Sequence, residues 1–489
     1  MKLSELVTSA HIDYSGHDVD VRGLAYDSRR VEAGFLFVAI PGTRVDGREF
    51  IAQAVERGAV AIMAQESTAG LDEWVARVQV EDARSALARL ANEFFGRPSE
   101  KIKLIGVTGT NGKTTTAYLL ESIFRQAGLK TGLIGTIEYR VNGTRVNAER
   151  TTPESLDLQR LLAEMVDKGV DVAVVEVSSH ALDLKRIDGC AFAGRIFMNL
   201  SRDHLDFHED LEAYFQAKAR LFTDRSFGDG LKLVNSDDSF GGRLATLLDE
   251  VVTFGSAPAD YRPSNIDLSA TGTSFTLSGP SGDLEIRSRL LGAFNLTNLT
   301  AAAAAALELG IDGRDVAAGL LGVDHVPGRF EAVACGQDFQ VLIDYAHTPD
   351  GLEKVLATAR NLAGGHRLIT VFGCGGDRDK GKRPQMGAIA AGLSDMVIVT
   401  SDNPRSEAAQ AIIDDILRGI PDRSTAKSNV VVERERAIRT ALARAKTGDV
   451  VVIAGKGHED YQILGDTVLP FDDRLVAEKA LKELLSGTN

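Results

Sequence analysis

The residues with the plainest chemistry lie in GVTGTNGKTTT, Gly106 to Thr116. An apolar strand-like run precedes this stretch and a helical pattern follows it, the setting that a phosphate-binding loop requires. Glycines let backbone N–H groups approach phosphate oxygens, and the helix N-terminus adds its dipole. On this reading Gly109, Thr110, Asn111, Gly112 and Thr115 form the cradle, Lys113 reaches the β- and γ-phosphates, and Thr114 offers a hydroxyl to Mg2+. The strict spacing, GxxxxGK followed by Ser or Thr, asks for glycine where the chain has Val107; the core GTNGKT is intact. A tight structural turn is the competing reading.

Other groups could complete a metal and phosphate site. Glu176 ends the apolar run that starts at Val172, and a carboxylate at the end of a strand beside a phosphate loop can hold Mg2+ directly or through water. His204 follows the next apolar run, in NLSRDHLDFH. Imidazole is an unusual Mg2+ partner, and the i, i+4 pair His204 and His208 lacks an evident third zinc ligand. His204 therefore reads equally as a ligand and as a satisfied loop histidine. The helical pattern after it puts Leu211, Tyr214, Phe215, Leu221 and Phe222 on one face, and Lys218 falls on that face too. For a lone lysine, a packed stem with its ammonium in water is the plain reading.

Apolar runs that alternate with helical patterns must position these groups. Up to residue 98 the elements are short. A central block, 99–327, carries the phosphate loop, Glu176, His204 and Lys218. A third block, 328–489, repeats the alternation: FQVLIDYAHTP, HRLITVFGCGG, DMVIVTSDNPR and DVVVIAGKGHE each end an apolar run in a polar loop. Such runs imply α/β domains whose mostly parallel sheets are covered on both faces. In open sheets of this kind, ligands bind beyond the carboxyl ends of the strands. The alanine run 301–306 reads as a close-packed helix.

Composition narrows the function classes. The 489 residues are 44% hydrophobic and 25% charged, with net charge −14. That balance argues against nucleic-acid binding as the main activity. No stretch reads as a signal peptide or a membrane span. Three cysteines, Cys190, Cys335 and Cys374, have neither metal spacing nor a paired framework, as expected in a reducing cytoplasm.

Taken in order, GTNGKTTT, EVSSHAL, NLSRDHLDFH, the helix with Lys218, NLTN, PGRFE, DYAHTPDGL, FGCGGDRDKGKRP, DNPR and AGKGHE resemble the Mur ligase family over essentially the whole chain. The family comprises ATP-dependent amide-forming enzymes of peptidoglycan precursor synthesis. The resemblance implies a UDP-MurNAc-binding N-terminal domain, a central ATPase domain and a Rossmann-like C-terminal domain for the incoming amino acid, in a monomer acting on small molecules. It implies that Lys218 reacts with CO2 to give a carbamate, which binds a second Mg2+ with Glu176 and His204. Asn295 would lie on the adenine side of ATP, with Arg329 and Asp344 as further nucleotide contacts. Tyr26, Ser28, Thr43 and Arg44 would meet the uridine nucleotide, and Thr151, Thr152, Ser178 and Arg186 the muramoyl-dipeptide. Leu184 stands where the family often has glutamine.

DNPR, Asp402, Asn403, Pro404 and Arg405, is the motif that accompanies meso-diaminopimelate rather than lysine among family members adding the third residue. The physical chemistry agrees, because a guanidinium can grip the distal carboxylate that lysine lacks. Arg378 would orient a carboxylate in the same pocket, and Gly455 and Glu459 would receive the distal centre, Glu459 pairing with its ammonium. The implied reaction joins meso-diaminopimelate to UDP-MurNAc-L-Ala-D-Glu through an acyl phosphate. A lysine-adding sister or a folylpolyglutamate synthetase would share the central block, and a non-catalytic nucleotide switch would share the phosphate loop alone.

Overall fold

The chain was analysed as a computed structural model that describes every residue except 43–44, 67–69, 147, 257, 270, 421–427 and 488–489. The N-terminal part holds a four-stranded parallel sheet in sequence order, Gly23–Ala25, Phe35–Val38, Ala61–Ala64 and Ala76–Gln79. Helices Leu3–Ser9 and Ala83–Phe94 pack on it, and Asp82 caps the latter by accepting from the N–H groups of Arg84 and Ser85. This core is not self-contained: Leu156, from helix Ser155–Asp167 of the central part, is buried within it.

The central part is built on eight strands in the order Val252–Phe254, Leu231–Asn235, Gly194–Phe197, Lys103–Thr108, Val172–Glu176, Thr131–Ile134, Tyr139–Val141, Thr144–Val146. The first six run parallel, and the last two fold back as an antiparallel edge. The strands that bear Glu176 and the phosphate loop are neighbours, although about seventy residues separate them, because Lys103–Thr108 pairs with Val172–Glu176. Helices Lys113–Gln126 and Ala293–Glu308 cover one face. Ala301 to Ala306 are all fully buried there, since small side chains let the helix approach its neighbours closely.

A three-stranded antiparallel sheet, Arg262–Ser269, Gly272–Gly279 and Gly282–Ser288, precedes that helix. It does not stand out in the sequence, where its outer strand is mostly polar. The C-terminal sheet has the order Glu331–Ala332, Gln340–Asp344, Val450–Ala454, Leu368–Phe372, Met396–Val399, Asn429–Val430, parallel except at its first pair. Phe294 reaches from the central helix onto Phe330, with ring centroids 5.6 Å apart, and ties the two parts together. Among the described residues, no helix is long and apolar enough to cross a membrane.

Candidate active site

The phosphate loop lies between strand Lys103–Thr108 and helix Lys113–Gln126. Gly112 has φ +89°, and a Cβ there would lie 2.4 Å from Asn298 Oδ1, so the loop tolerates no side chain at that point. The Asn111 N–H donates to Asn199 Oδ1 at 2.9 Å. Lys113 Nζ turns back onto its own loop and donates to the carbonyls of Gly109 and Thr110 at 2.8 and 2.9 Å. Thr114 Oγ1 donates to Glu176 Oε2 at 3.0 Å, and Glu176 also accepts from the Thr136 N–H and hydroxyl. A hydroxyl and a buried carboxylate in direct contact are hard oxygen donors, the set that suits Mg2+. Thr115 lies beside them on the same cavity wall.

That cavity, about 660 Å3, opens between the central and C-terminal parts. Arg329 crosses it: Nη2 donates to Thr114 Oγ1 at 3.1 Å, and its guanidinium sits 4.4 Å over the Tyr345 ring. Arg329 Nε is buried without a partner, so the side chain keeps an unused donor beside the loop. Asp344 also lines the cavity, but its two oxygens accept from the N–H groups of Phe330 and Ala346, each at 2.7 Å. It shapes the hinge loop, and burial pushes its pKa up to about 6. Asn295 stands one layer back, donating to the Leu291 carbonyl, while Phe294, Thr297 and Asn298 face the cavity.

His204 and Lys218 meet behind the loop. Lys218 is 1% exposed; its Nζ donates to the Gly109 carbonyl at 3.0 Å and sits 4.8 Å from the Tyr214 ring centre. The stem-and-snorkel reading therefore fails. Burial, with Lys113 nearby, holds its pKa well below the usual lysine value. An amine neutralised this way is a nucleophile. The apolar face is shorter than the periodicity suggests: Leu211 is 37% exposed, because it opens helix Leu211–Thr223 directly after the Asp210 cap, beyond the edge of the core. His204 has φ +55° and packs edge-on against His180 at 4.9 Å, while His208 stacks on Tyr214. Among the described residues no cluster of three or more His, Cys, Asp or Glu is placed to hold a metal.

Asp203 connects this region to the C-terminal part. Its carboxylate lies 3.4 Å from His204 Nε2, 3.8 Å from His347 Nε2 and 4.0 Å from Lys382 Nζ. Burial alone would raise the Asp203 pKa, but these neighbours hold it down at about 2. Burial also lowers three histidines of the cavity and His458 below 6.5: His180 and His347 to about 4, His204 and His458 to about 3. Each such group binds its proton more readily in the unfolded chain, so the stability it contributes is complete above pH 6.5 and is lost as pH falls towards 4. Asp344 works in the opposite sense, as do the buried carboxyl groups of Glu121, Asp188, Asp238 and Glu459, but the histidines, whose ordinary pKa lies inside this range, set the sign of the net effect. The thermal unfolding midpoint is therefore expected to drop between about pH 7 and pH 5; a midpoint that rises over that interval would refute this account of the buried histidines.

The residues expected on the dipeptide side also line this cavity. Thr152 Oγ1 donates to the Glu176 carbonyl at 2.7 Å and lies 3.3 Å from Ser178 Oγ; Thr151 Oγ1 meets Thr136 Oγ1 at 3.1 Å. Arg186 pairs with Glu154 at 2.9 Å. Thr151, Thr152, Ser178 and Arg186 all line the cavity, with Arg150 beside them. Tyr26 and Ser28 do not: Tyr26 donates to Asp157, and Ser28 to Gln53 at 2.6 Å. Thr43 and Arg44 lie outside the described residues. Leu184 ends the short helix Ser179–Asp183, half-buried.

In the C-terminal part, a Cβ at Gly375 would lie 2.9 Å from Arg405 Nη1 and 3.9 Å from Arg378 Cγ, so the two arginines flank one loop. Arg405 Nη1 donates to the Gly376 carbonyl at 2.8 Å. Its φ of +53° is a conformation that non-glycine residues seldom adopt, at a cost of order 1–3 kcal/mol. Pro404 is buried next to it. Asn403 Nδ2 donates to Glu459 Oε2 at 2.8 Å, and Gly455, φ +114°, brings its Cα close to Asp402. Sequence reasoning passed over Asp203, His347, Arg150 and Asp350. Asp350 accepts from Asn111 Nδ2 at 2.8 Å across the cavity. The only signal for these was their place in polar loops after apolar runs.

A glycine-rich loop that faces cationic loops of a second α/β unit across a shared cavity fits a nucleotide-dependent enzyme that joins two substrates. Family models described as "Mur ligase family, catalytic domain", "Mur ligase middle domain" and "Mur ligase, glutamate ligase domain" match residues 20–95, 107–306 and 328–457. The chain belongs to the Mur ligase family. It is 50% identical over 486 residues to the UDP-N-acetylmuramoyl-L-alanyl-D-glutamate–2,6-diaminopimelate ligase of Gloeobacter violaceus, covering 99% of this chain and 98% of that one. A solved structure of a ligase with the same name superposes with TM-score 0.69 at 32% identity, covering 99% of both chains. MurF from Acinetobacter baumannii shares the fold, with TM-score 0.67 at 20% identity.

Proposed function

We propose that this chain is the ATP-dependent ligase that adds meso-diaminopimelate to UDP-MurNAc-L-Ala-D-Glu, giving the UDP-MurNAc-tripeptide of peptidoglycan synthesis, ADP and phosphate. One observation carries the reading: Lys113, Arg186 and Arg378, from the phosphate, dipeptide and amino-acid loops, line a single cavity. In this reading the γ-phosphoryl group of ATP passes to a free carboxylate of the D-glutamate residue. The amine at the L-centre of diaminopimelate attacks the acyl phosphate, and the tetrahedral intermediate expels phosphate. Lys113 swings from its loop carbonyls to the transferring phosphoryl group, and Arg329 approaches from the hinge. Thr114 and Glu176 would hold Mg2+, and His204, Glu176 and carbamylated Lys218 a second; the ions supply charge neutralisation at the phosphates. Asn295 and Asp344 support the nucleotide side from behind. Tyr26, Ser28, Thr43 and Arg44 belong to the uridine end, Thr151, Thr152, Ser178 and Arg186 to the dipeptide. Domains 1–98, 99–327 and 328–489 form a cytoplasmic monomer, in keeping with the free cysteines.

Arg405 sets the choice of amino acid. Truncating one partner of a buried charge pair costs about 2–5 kcal/mol, roughly thirtyfold to several thousandfold in apparent specificity. Arg405→Ala is expected to raise the KM for diaminopimelate on that scale, to narrow the gap to lysine and to leave the KM for ATP near wild type. kcat/KM for both amino acids in both proteins checks this. A wild type that prefers lysine would sink the diaminopimelate assignment.

A further inference from the structure

Behind Arg405, five charged side chains meet where strands Met396–Val399 and Val450–Ala454 end. Arg434 and Asp473, both fully buried, hold each other by two bonds of 2.7 Å. Arg434 Nη2 also donates to the Ala454 carbonyl at 3.0 Å. Lys456 is equally buried: its Nζ donates to Glu459 Oε2 at 2.9 Å and to Asn403 Oδ1 at 3.1 Å, and lies 3.5 Å from Asp402 Oδ1. Asp402 Oδ1 is buried without a hydrogen-bond partner. With the Arg434–Asp473 pair neutral, Asp402, Glu459 and Lys456 leave one net negative charge, and Arg405 follows on the same loop as Asp402, with Arg378 across Gly375 from it.

We infer that Lys456 is a specificity-determining residue, which cancels one of two adjacent carboxylates so that the pocket offers a single anionic group beside the Arg405 cation. That pattern complements a ligand end in which one carbon carries both an ammonium and a carboxylate. It does not complement the lone ammonium of lysine. The inference rests on the proposed function and deepens it, since the motif-level reading assigns Glu459 to the ligand and leaves Lys456 without a role. Without Lys456, two buried carboxylates would lie side by side with no internal cation. Like charges so placed favour taking up a proton or a cation, and the lone ammonium of lysine supplies one without bringing a further negative charge.

The test compares kcat/KM for meso-diaminopimelate and L-lysine, and the KM for ATP, in wild type, Lys456→Met and the double variant Lys456→Met with Glu459→Gln. In Lys456→Met the diaminopimelate-to-lysine ratio should fall about thirtyfold or more, the change equivalent to losing one buried charge partner, with the KM for ATP unmoved. The double variant, which again holds one net negative charge, should recover part of the ratio; a purely structural lysine gives no such recovery. An unchanged ratio in Lys456→Met, or a further fall in the double variant, overturns the inference. If Lys456→Met does not fold, the double variant becomes the readout: a folded protein that still prefers diaminopimelate supports the inference, and an unfolded one makes Lys456 a packing element and overturns it. Wild type that fails to ligate diaminopimelate refutes the proposed function itself, and this inference with it.

Discussion

Replacing Lys113 by alanine is expected to abolish ligation while the unfolding midpoint stays close to that of wild type. In the free protein the Lys113 ammonium satisfies only two carbonyls of its own loop. Such bonds contribute on the order of 1 kcal/mol each, and burial already lowers the pKa of this ammonium, so removing it relieves part of a desolvation cost. During phosphoryl transfer the same cation stands where negative charge accumulates. Loss of a cation so placed costs on the order of a thousandfold or more. Steady-state ligation and thermal unfolding of the variant check both halves. A large fall in the midpoint with proportionate loss of activity would instead make Gly106 to Thr116 a structural turn.

Lys218→Ala should be nearly as severe, and for a different reason. Lys218 is the one lysine of the central helix face, enclosed by the Gly109 carbonyl, the Thr108 hydroxyl and the Tyr214 ring. A protonated ammonium is poorly stabilised there, and the neutral amine can add to CO2. That addition would form an N–C bond and release one proton, turning the neutral amine into an anionic carbamate able to serve the proposed metal position with His204 and Glu176. Removing it leaves the proposed second metal position with two protein ligands. Ligation should fall to near background, and short carboxylic acids such as acetate should restore part of it by filling the cavity. Isotope-labelled CO2 should give a carbamate signal in wild type and none in the variant. Full activity in the variant, or wild type that takes up no label while active, would end the carbamate proposal.

Several features were legible because they are local. A strand, a glycine-rich loop and a helix in immediate succession define the phosphate loop through covalent spacing alone, and Thr114 must follow Lys113 onto the first turn. The continuous apolar runs likewise announce strands buried on both faces, and each one matched a sheet strand with a polar loop at its end. Periodicity assigns a face to Lys218. It does not say how far the core extends along that face, which is why Leu211 emerged exposed. The antiparallel strands between 262 and 288 escaped notice because a solvated strand with a polar face has little apolar signal.

What the sequence alone determined about this protein is therefore its parts: the glycine-rich loop between a strand and a helix, the carboxylate at the end of a strand, a lysine on the apolar face of a helix, the arginine of DNPR and, by resemblance, the family that uses them. Only the tertiary structure decided which parts meet. Arg329 reaches Thr114 across 215 residues and Asn111 reaches Asp350 across 239. Asp203 gathers His204, His347 and Lys382 from two sheets, and Lys456 divides its charge between Glu459 and Asp402. The physical reason is that spacing along a chain fixes neighbours only within a turn or a strand. Contacts between loops depend on strand order and on how two sheets face one another, and these are set by burial summed over the whole core rather than by any residue in the site.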